Sequence, residues 1–143
     1  MYLRVPKHRI EDTKSLTGRK LKLDQHHITV GESQLKMLVP TKTVFSRSVC
    51  GTNVENEQDF TDEIVSTLHQ QNIRVTKMLC GLSHTITTPT GSIAARSVLL
   101  ADIEWDESLA LQQQGLGPNR LLGCGIFLPH KSLAAVGSSQ DDD

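Results

Sequence analysis

The sequence predicts an α+β fold: one complete β-α-β-β-α-β unit, the split-βαβ or ferredoxin-like arrangement, preceded by part of a second such unit. Three observations predict it. From residue 43 onward, β-branched alternating segments and amphipathic helical segments follow one another in the order β-α-β-β-α-β. A turn built on Pro89 and Gly91 joins the middle pair of strands directly. Before residue 43, the patterned segments are too few to close a second unit.

The elements are read in order as follows. "YLRV" from Tyr2 reads as a short strand. "PKHRIEDTKSL" reads as a helix, with Pro6 suited to its first turn and Glu11 and Asp12 beyond it. "KLKLDQHHITVG" alternates apolar and polar residues on both sides of Asp24-Gln25, the mark of a hairpin that ends at Gly31. "SQLKMLVP" is another extended piece, stopped by Pro40. "TVFSRSVC" is the first strand of the complete unit. "NEQDFTDEIVSTLHQQN" is its first helix: Phe60, Ile64, Val65 and Leu68 form an apolar stripe, acids crowd the first turns, and Asn72 is the stop. "IRVTKMLC" is the second strand and "SIAARSVLLADIEW" a long third strand. Asp106 is expected to cap the helix "ESLALQQQ", and "CGIFLP" closes the unit as its last strand. The four strands should form one antiparallel sheet with both helices on one face and the other face free for a partner. The organisation read from the chain is therefore a partial unit with hairpin over 1–42, a complete unit over 43–130, and a polar, acidic, disordered tail over 131–143.

Composition bounds the function. The chain has 143 residues, a hydrophobic fraction of 37% and only 3% aromatics, so aliphatic side chains must supply most of one modest core. No apolar run approaches the roughly 20 residues of a membrane span, and the N-terminal segment lacks the apolar centre of a signal peptide. The expectation is a soluble, cytoplasmic protein. Cys50, Cys80 and Cys124 are single and widely spaced, with no CxxC pair, which argues against a disulfide framework and against zinc. His26-His27 would point to opposite faces of a strand. No metal and no cofactor are expected. The net charge of −1 hides an asymmetry: residues 1–50 carry ten Lys and Arg against four acids, +6, and the remainder is −7. A basic first third suits a polyanionic partner as well as it suits plain solvation.

The segment "GLGPNRLLGCGIFLPHK", Gly115 to Lys131, carries the sharpest signal. Its glycines are spaced G-x-G-x5-G-x-G between the second helix and the last strand. Paired glycines permit positive φ and leave backbone N–H groups free to turn toward an anion. Gly115, Gly117, Gly123 and Gly125 would form such a cradle, Arg120 would add a charged contact to a phosphate, and Asn119 could bond a base edge or sugar hydroxyl. His130 and Lys131 would extend the same basic lip, and Arg4, Lys7, Arg9 and Arg47 would add to a basic surface. The spacing is neither a P-loop, since no GK[ST] follows, nor a dinucleotide fingerprint, since a strand and not a helix comes next. The plainer reading is a tight helix-to-strand reversal with no ligand.

A split-βαβ unit whose last helix leads into "LQQQGLGPNRLLGCGIFLPHK" resembles the RAMP superfamily of CRISPR-associated proteins, and more narrowly its RNA-processing endoribonucleases with a glycine-rich loop. "LTGRKLKLDQHHITVG" is similar to their middle segment, where a first unit hands over to the second. The resemblance covers nearly the whole chain apart from the acidic tail. It implies an antiviral-defence nuclease that binds the stem-loop of CRISPR repeat RNA and cuts on its 3′ side without a metal ion. The 2′-hydroxyl attacks, leaving a 2′,3′-cyclic phosphate. The enzyme then stays on the crRNA as a subunit of the effector complex. Such chemistry needs a general base, often histidine, and a cation for the developing charge.

The family pattern has two tandem units, with the histidine in the early helix region of the first. This chain is read as starting inside that first unit, so the resemblance assigns no catalytic residue here. His8, His26 and His27 are read as surface or packing residues. Two alternatives stand beside the nuclease reading: a non-catalytic crRNA hairpin-binding cap, and a ferredoxin-like assembly or ligand-binding domain unrelated to RNA.

Overall fold

The structure is a computed structural model and describes residues 2–131. The chain divides into two compact units, one up to Met37 and one from Leu38 onward.

The first unit contains a 3-10 turn at Lys7–Arg9 that runs into the five-residue helix α1 (Ile10–Lys14), and a hairpin of β1 (Lys20–Leu23) and β2 (His26–Thr29). Pro6 sits at the N-cap in extended conformation, and Glu11 and Asp12 occupy the first turn of α1. The hairpin turns at Asp24, whose φ of 55° is a conformation that aspartate tolerates better than most residues. Its register pairs Leu21 with Ile28 on one side and Lys22 with His27 on the other. None of the described residues of this unit is buried. Tyr2–Val5 is not a strand: no strand ladder takes it up among the described residues, and Tyr2 and Leu3 are exposed. A strand needs a neighbour for its backbone groups, and apolar character alone supplies none. Residues 33–40 likewise contain no regular element.

The second unit is α+β and ferredoxin-like. Its elements are β3 (Thr43–Cys50), α2 (Glu57–Gln70), β4 (Lys77–Thr88), β5 (Gly91–Ala101), α3 (Trp105–Gln114) and β6 (Leu128–Pro129). The sheet order is β4-β5-β3-β6 with every pairing antiparallel. The apolar stripe of α2 lands where its 3.6-residue period puts it: Phe60, Ile64 and Leu68 are buried against Val44, Val49, Val98 and Leu100 of the sheet. Leu111 of α3 and Phe127 join the same core. The other face of the sheet carries a second set. In one row across all four strands, Leu79, Leu99, Phe45 and Leu128 are direct neighbours, and Leu79 and Leu128 are exposed.

Several boundaries differ from the sequence reading, each for a local reason. Asn56, at the N-cap of α2, accepts a bond from the Asp59 amide at 3.0 Å. Asn72 stops the helix with φ of 61°. Ile73 then folds back, its amide bonding Leu68 O at 2.9 Å and its side chain 1% exposed, so strand geometry starts only at Lys77. The strand β5 stops at Ala101, because Asp102 adopts φ of 56°. The helix α3 begins at Trp105 with Glu104 at its N-cap; Asp106 is not the cap but lies in the first turn, where its charge still complements the helix dipole. The last strand is only Leu128–Pro129, because Gly115 to Phe127 is spent on the loop. The predicted disorder of the tail from 132 on lies outside the described residues.

Two bulges shape the centre of the sheet. Between Ser46 and Val49, β3 places Arg47 and Ser48 opposite the single residue Ser97. Between Cys80 and Ser83, β4 places Gly81 and Leu82 opposite that same serine. Buried Arg96, the neighbour of Ser97, holds the β4 bulge and ties it to the loop that follows β3. Its Nε donates to Val54 O at 2.6 Å, Nη1 to Gly81 O at 2.9 Å and Nη2 to Glu55 O at 3.1 Å.

Candidate nucleic-acid interface

The glycines are first a solution to backbone crowding. The two stems of the loop cross, with Leu116 N donating to Gly125 O at 2.9 Å. A Cβ on Gly125 would sit 1.7 Å from Leu116 O, and one on Gly115 2.9 Å from Gly125 O. A Cβ on Gly117 would lie 3.0 Å from Cys50 O. All four loop glycines have positive φ, between 66° and 88°. Gly123 alone has open space around it, so its need is purely conformational: it follows the 3-10 turn Arg120–Leu122 in the left-handed region.

The loop is then pinned to β3 by Gly125 N donating to Ser48 O at 2.7 Å. The amides of Leu122, Gly123 and Cys124 turn inward onto Asn119 O and Arg120 O. What faces solvent is the tip, Pro118 to Gly123, with Leu121 fully exposed. The amides of Gly117, Asn119, Arg120 and Leu121 make no hydrogen bond among the described residues. Arg120 is exposed, but it is not an idle cation. Its Nη1 donates to Gln114 O, the last carbonyl of α3, so it caps the helix and leaves the rest of its guanidinium fork outward.

The remaining anticipated residues fall into separate places. Arg47 is exposed in the β3 bulge, next to the residue that anchors the loop. His130 and Lys131 do not share the loop's lip. The last strand runs antiparallel to β3, and His130 N donates to Thr43 O at the far end of that strand, about 16 Å from Ser48 at ~3.3 Å per residue. The His130 ring lies against Phe45, centroids 5.5 Å apart, and Nδ1 meets Lys131 O at 2.8 Å. Arg4, Lys7 and Arg9 belong to the first unit, where Arg9 pairs with Asp12 and Arg4 is half-buried. His8, His26 and His27 are exposed there.

Among the described residues, no group of three or more His, Cys, Asp or Glu side chains could hold a metal ion. None of their helices is long and apolar enough to cross a membrane. The cysteines are free thiols. Burial, then the hydrogen bond and charge of neighbouring Cys50, push the Cys124 thiol up to about 11, and burial raises Cys80 as well. The thiolate is thus suppressed at these two positions.

The sequence reading missed one polar contact in this region. Ser48 Oγ and His84 Nε2 lie 2.9 Å apart on the face of the sheet away from the helices. The two residues are 36 positions apart, and no local pattern joins them.

A family model described as Cas6 CRISPR matches residues 1–132. The CRISPR-associated endonuclease Cas6 of Myxococcus xanthus (strain DK1622) is similar to the chain, 25% identical over 138 residues. The match takes in 96% of this chain and 60% of that protein, so the chain spans about three fifths of the length of this relative. The model match runs through both units and past the glycine loop and last strand, and the ferredoxin-like order of the second unit agrees with it: the chain belongs to the Cas6 family of CRISPR proteins.

Proposed function

We propose that this chain binds the stem-loop of CRISPR repeat RNA and processes the precursor by metal-independent cleavage. The 2′-hydroxyl beside the scissile phosphate attacks, leaving a 2′,3′-cyclic phosphate and a 5′-hydroxyl. The protein stays on the processed crRNA as a subunit of the effector complex in the cytoplasm. The observation that carries this reading is the exposed tip of the glycine loop: amides with no hydrogen bond among the described residues and an exposed Arg120, held on a crossing of backbone, in a chain that matches the Cas6 family. A preorganised set of N–H donors suits a phosphate, and hairpin RNA is recognised by shape and phosphate contacts more than by groove edges. Arg47, beside the loop's anchor, extends that surface; the basic residues of the first unit (Arg4, Lys7, Arg9) and the distant pair His130 and Lys131 are proposed as further backbone contacts.

The test is incubation of the protein with a labelled repeat stem-loop carrying its 3′ flank, in EDTA, with binding measured at several salt concentrations. Salt-sensitive binding and a cut at the stem base with a cyclic-phosphate end are expected. Binding without cutting would make the chain a hairpin-binding cap, and neither would defeat the RNA reading. Arg120→Ala should weaken binding about fivefold to tenfold at fixed salt, the worth of one charged phosphate contact. An unchanged affinity would remove Arg120 from the interface and leave it as a helix cap.

A further inference from the structure

The glycine loop carries a group that its proposed role does not use. Cys124, between Gly123 and Gly125, is buried, and so is Cys50 at the end of β3. With Ala95 they form a small cluster apart from the main core, with Ile86 and Ile93 packed against it. Ala95 is the β5 register partner of Cys50. The loop meets β3 on both sides of this contact. Gly125 N donates to Ser48 O at 2.7 Å, and a Cβ on Gly117 would lie 3.0 Å from Cys50 O. The Cys50 thiol is near enough to act on the Cys124 thiol by hydrogen bond and charge. Both are free thiols. Neither phosphate binding nor hydroxyl attack calls for a thiol here, and two small apolar side chains would fill such a cluster as well.

Two neighbouring thiols, one on a strand and one on a loop, share one reaction: two-electron oxidation to a disulfide. We propose that Cys50 and Cys124 are a redox modification site, whose disulfide staples the glycine loop to β3 and tightens the loop's hold on RNA. The second half of this rests on the RNA-binding reading above. The oxidant is a small disulfide such as oxidised glutathione. One cysteine thiolate attacks it, forms a mixed disulfide and expels a thiolate. The other cysteine attacks the protein sulfur of that mixed disulfide, closes the Cys50–Cys124 bond and expels the second thiolate. The oxidant takes up two electrons and leaves as two thiols, which carry the two protons that the cysteines lose. The closed loop resists this exchange, since burial keeps Cys124 protonated at neutral pH and shuts out the oxidant. Access comes when the loop opens at Gly123, the loop glycine with open space around it. Once formed, the bond holds the loop in one arrangement, and a loop ordered in advance loses less entropy when RNA arrives.

The test equilibrates the full chain with reduced and oxidised glutathione over a range of ratios, at neutral and at alkaline pH. Digestion without reductant, followed by mass spectrometry, reads which cysteines are joined. A Cys50–Cys124 crosslink is expected, forming faster at alkaline pH, with Cys80 left free. The oxidised chain should unfold at a urea midpoint about 1 M or more higher. It should bind the repeat stem-loop about threefold or more tightly than the reduced chain. Dithiothreitol should reverse both shifts. Cys50→Ser and Cys124→Ser should each abolish them, and Cys80→Ser should keep them; mapping of the wild-type chain decides the matter if a variant does not fold. A crosslink through Cys80 or between two chains, or none in excess oxidised glutathione, would overturn the site. A Cys50–Cys124 crosslink that leaves RNA affinity unchanged or lower would overturn the effect on binding. A chain that binds no RNA in either form would overturn the RNA-binding reading, while the crosslink, read by mass, would still establish the site.

Discussion

At the scale of single residues, the loop glycines divide into two physical kinds. Gly125 has φ of 66° and a backbone oxygen 1.7 Å from where a Cβ would stand, whereas Gly123 has φ of 88° and empty space. Alanine at Gly123 meets only the left-handed penalty, about 1 kcal/mol. Alanine at Gly125 must also force apart the crossing of Leu116 and Gly125. Gly125→Ala should therefore cost about 3 kcal/mol or more by urea denaturation, and Gly123→Ala about a third of that. Equal losses would show that the crossing is not what demands glycine. The spacing of the glycines was legible in the sequence, but this division was not, because the oxygen that excludes a Cβ comes from a residue nine positions away across the loop. Arg120 teaches the same point. Its charge was visible, and its bond to Gln114 O depended on the loop closing.

At the scale of elements, the β4 bulge and the loop after β3 hang on Arg96. It is 6% exposed and donates to three carbonyls, none of which has another side-chain donor among the described residues. Arg96→Met keeps much of the stem volume and removes all three bonds. It should destabilise the protein by about 3 kcal/mol, because three buried carbonyls lose their charged donor at once. A melting temperature unchanged from wild type would show that the bulge stands without it. Helix α2 was legible in its apolar stripe and its asparagine stop, but Asn56, read as part of the helix, is its N-cap. The strand β4 was only half so. Gly81 and Leu82 break the alternation, and a bulge read along one strand looks like a strand's end. Only pairing with the unbroken β5 carries β4 on to Thr88.

At the scale of the molecule, the two units differ in what holds them. The unit from Leu38 has an extended core spanning sheet and helices, while the unit up to Met37 contains no buried residue among those described. A lone two-stranded hairpin is marginal in water. Hydrogen exchange should therefore show amides of β3 and β5 protected near the global stability, and those of β1 and β2 exchanging orders of magnitude faster. Comparable protection in both would mean that the hairpin is held by contacts of global strength. The charge follows the same division: eight Lys and Arg against four acids up to Met37 leave that unit at +4.

The sequence by itself determined the α+β class, the β-α-β-β-α-β order, the stripe of α2 and the place of the glycine loop, because each rests on periodicity or on residues whose backbone preferences act within a few positions. Its resemblance to the CRISPR RNA-processing branch pointed to the family that the model match supports. Tertiary structure alone decided the rest. It split His130 and Lys131 from the loop, since the strand between runs the length of β3. It turned Arg120 into a cap, and brought Ser48 to His84 across the intervening strand β5. Those outcomes depend on register between strands far apart in the chain, and a shift of one residue would send each side chain to the opposite face.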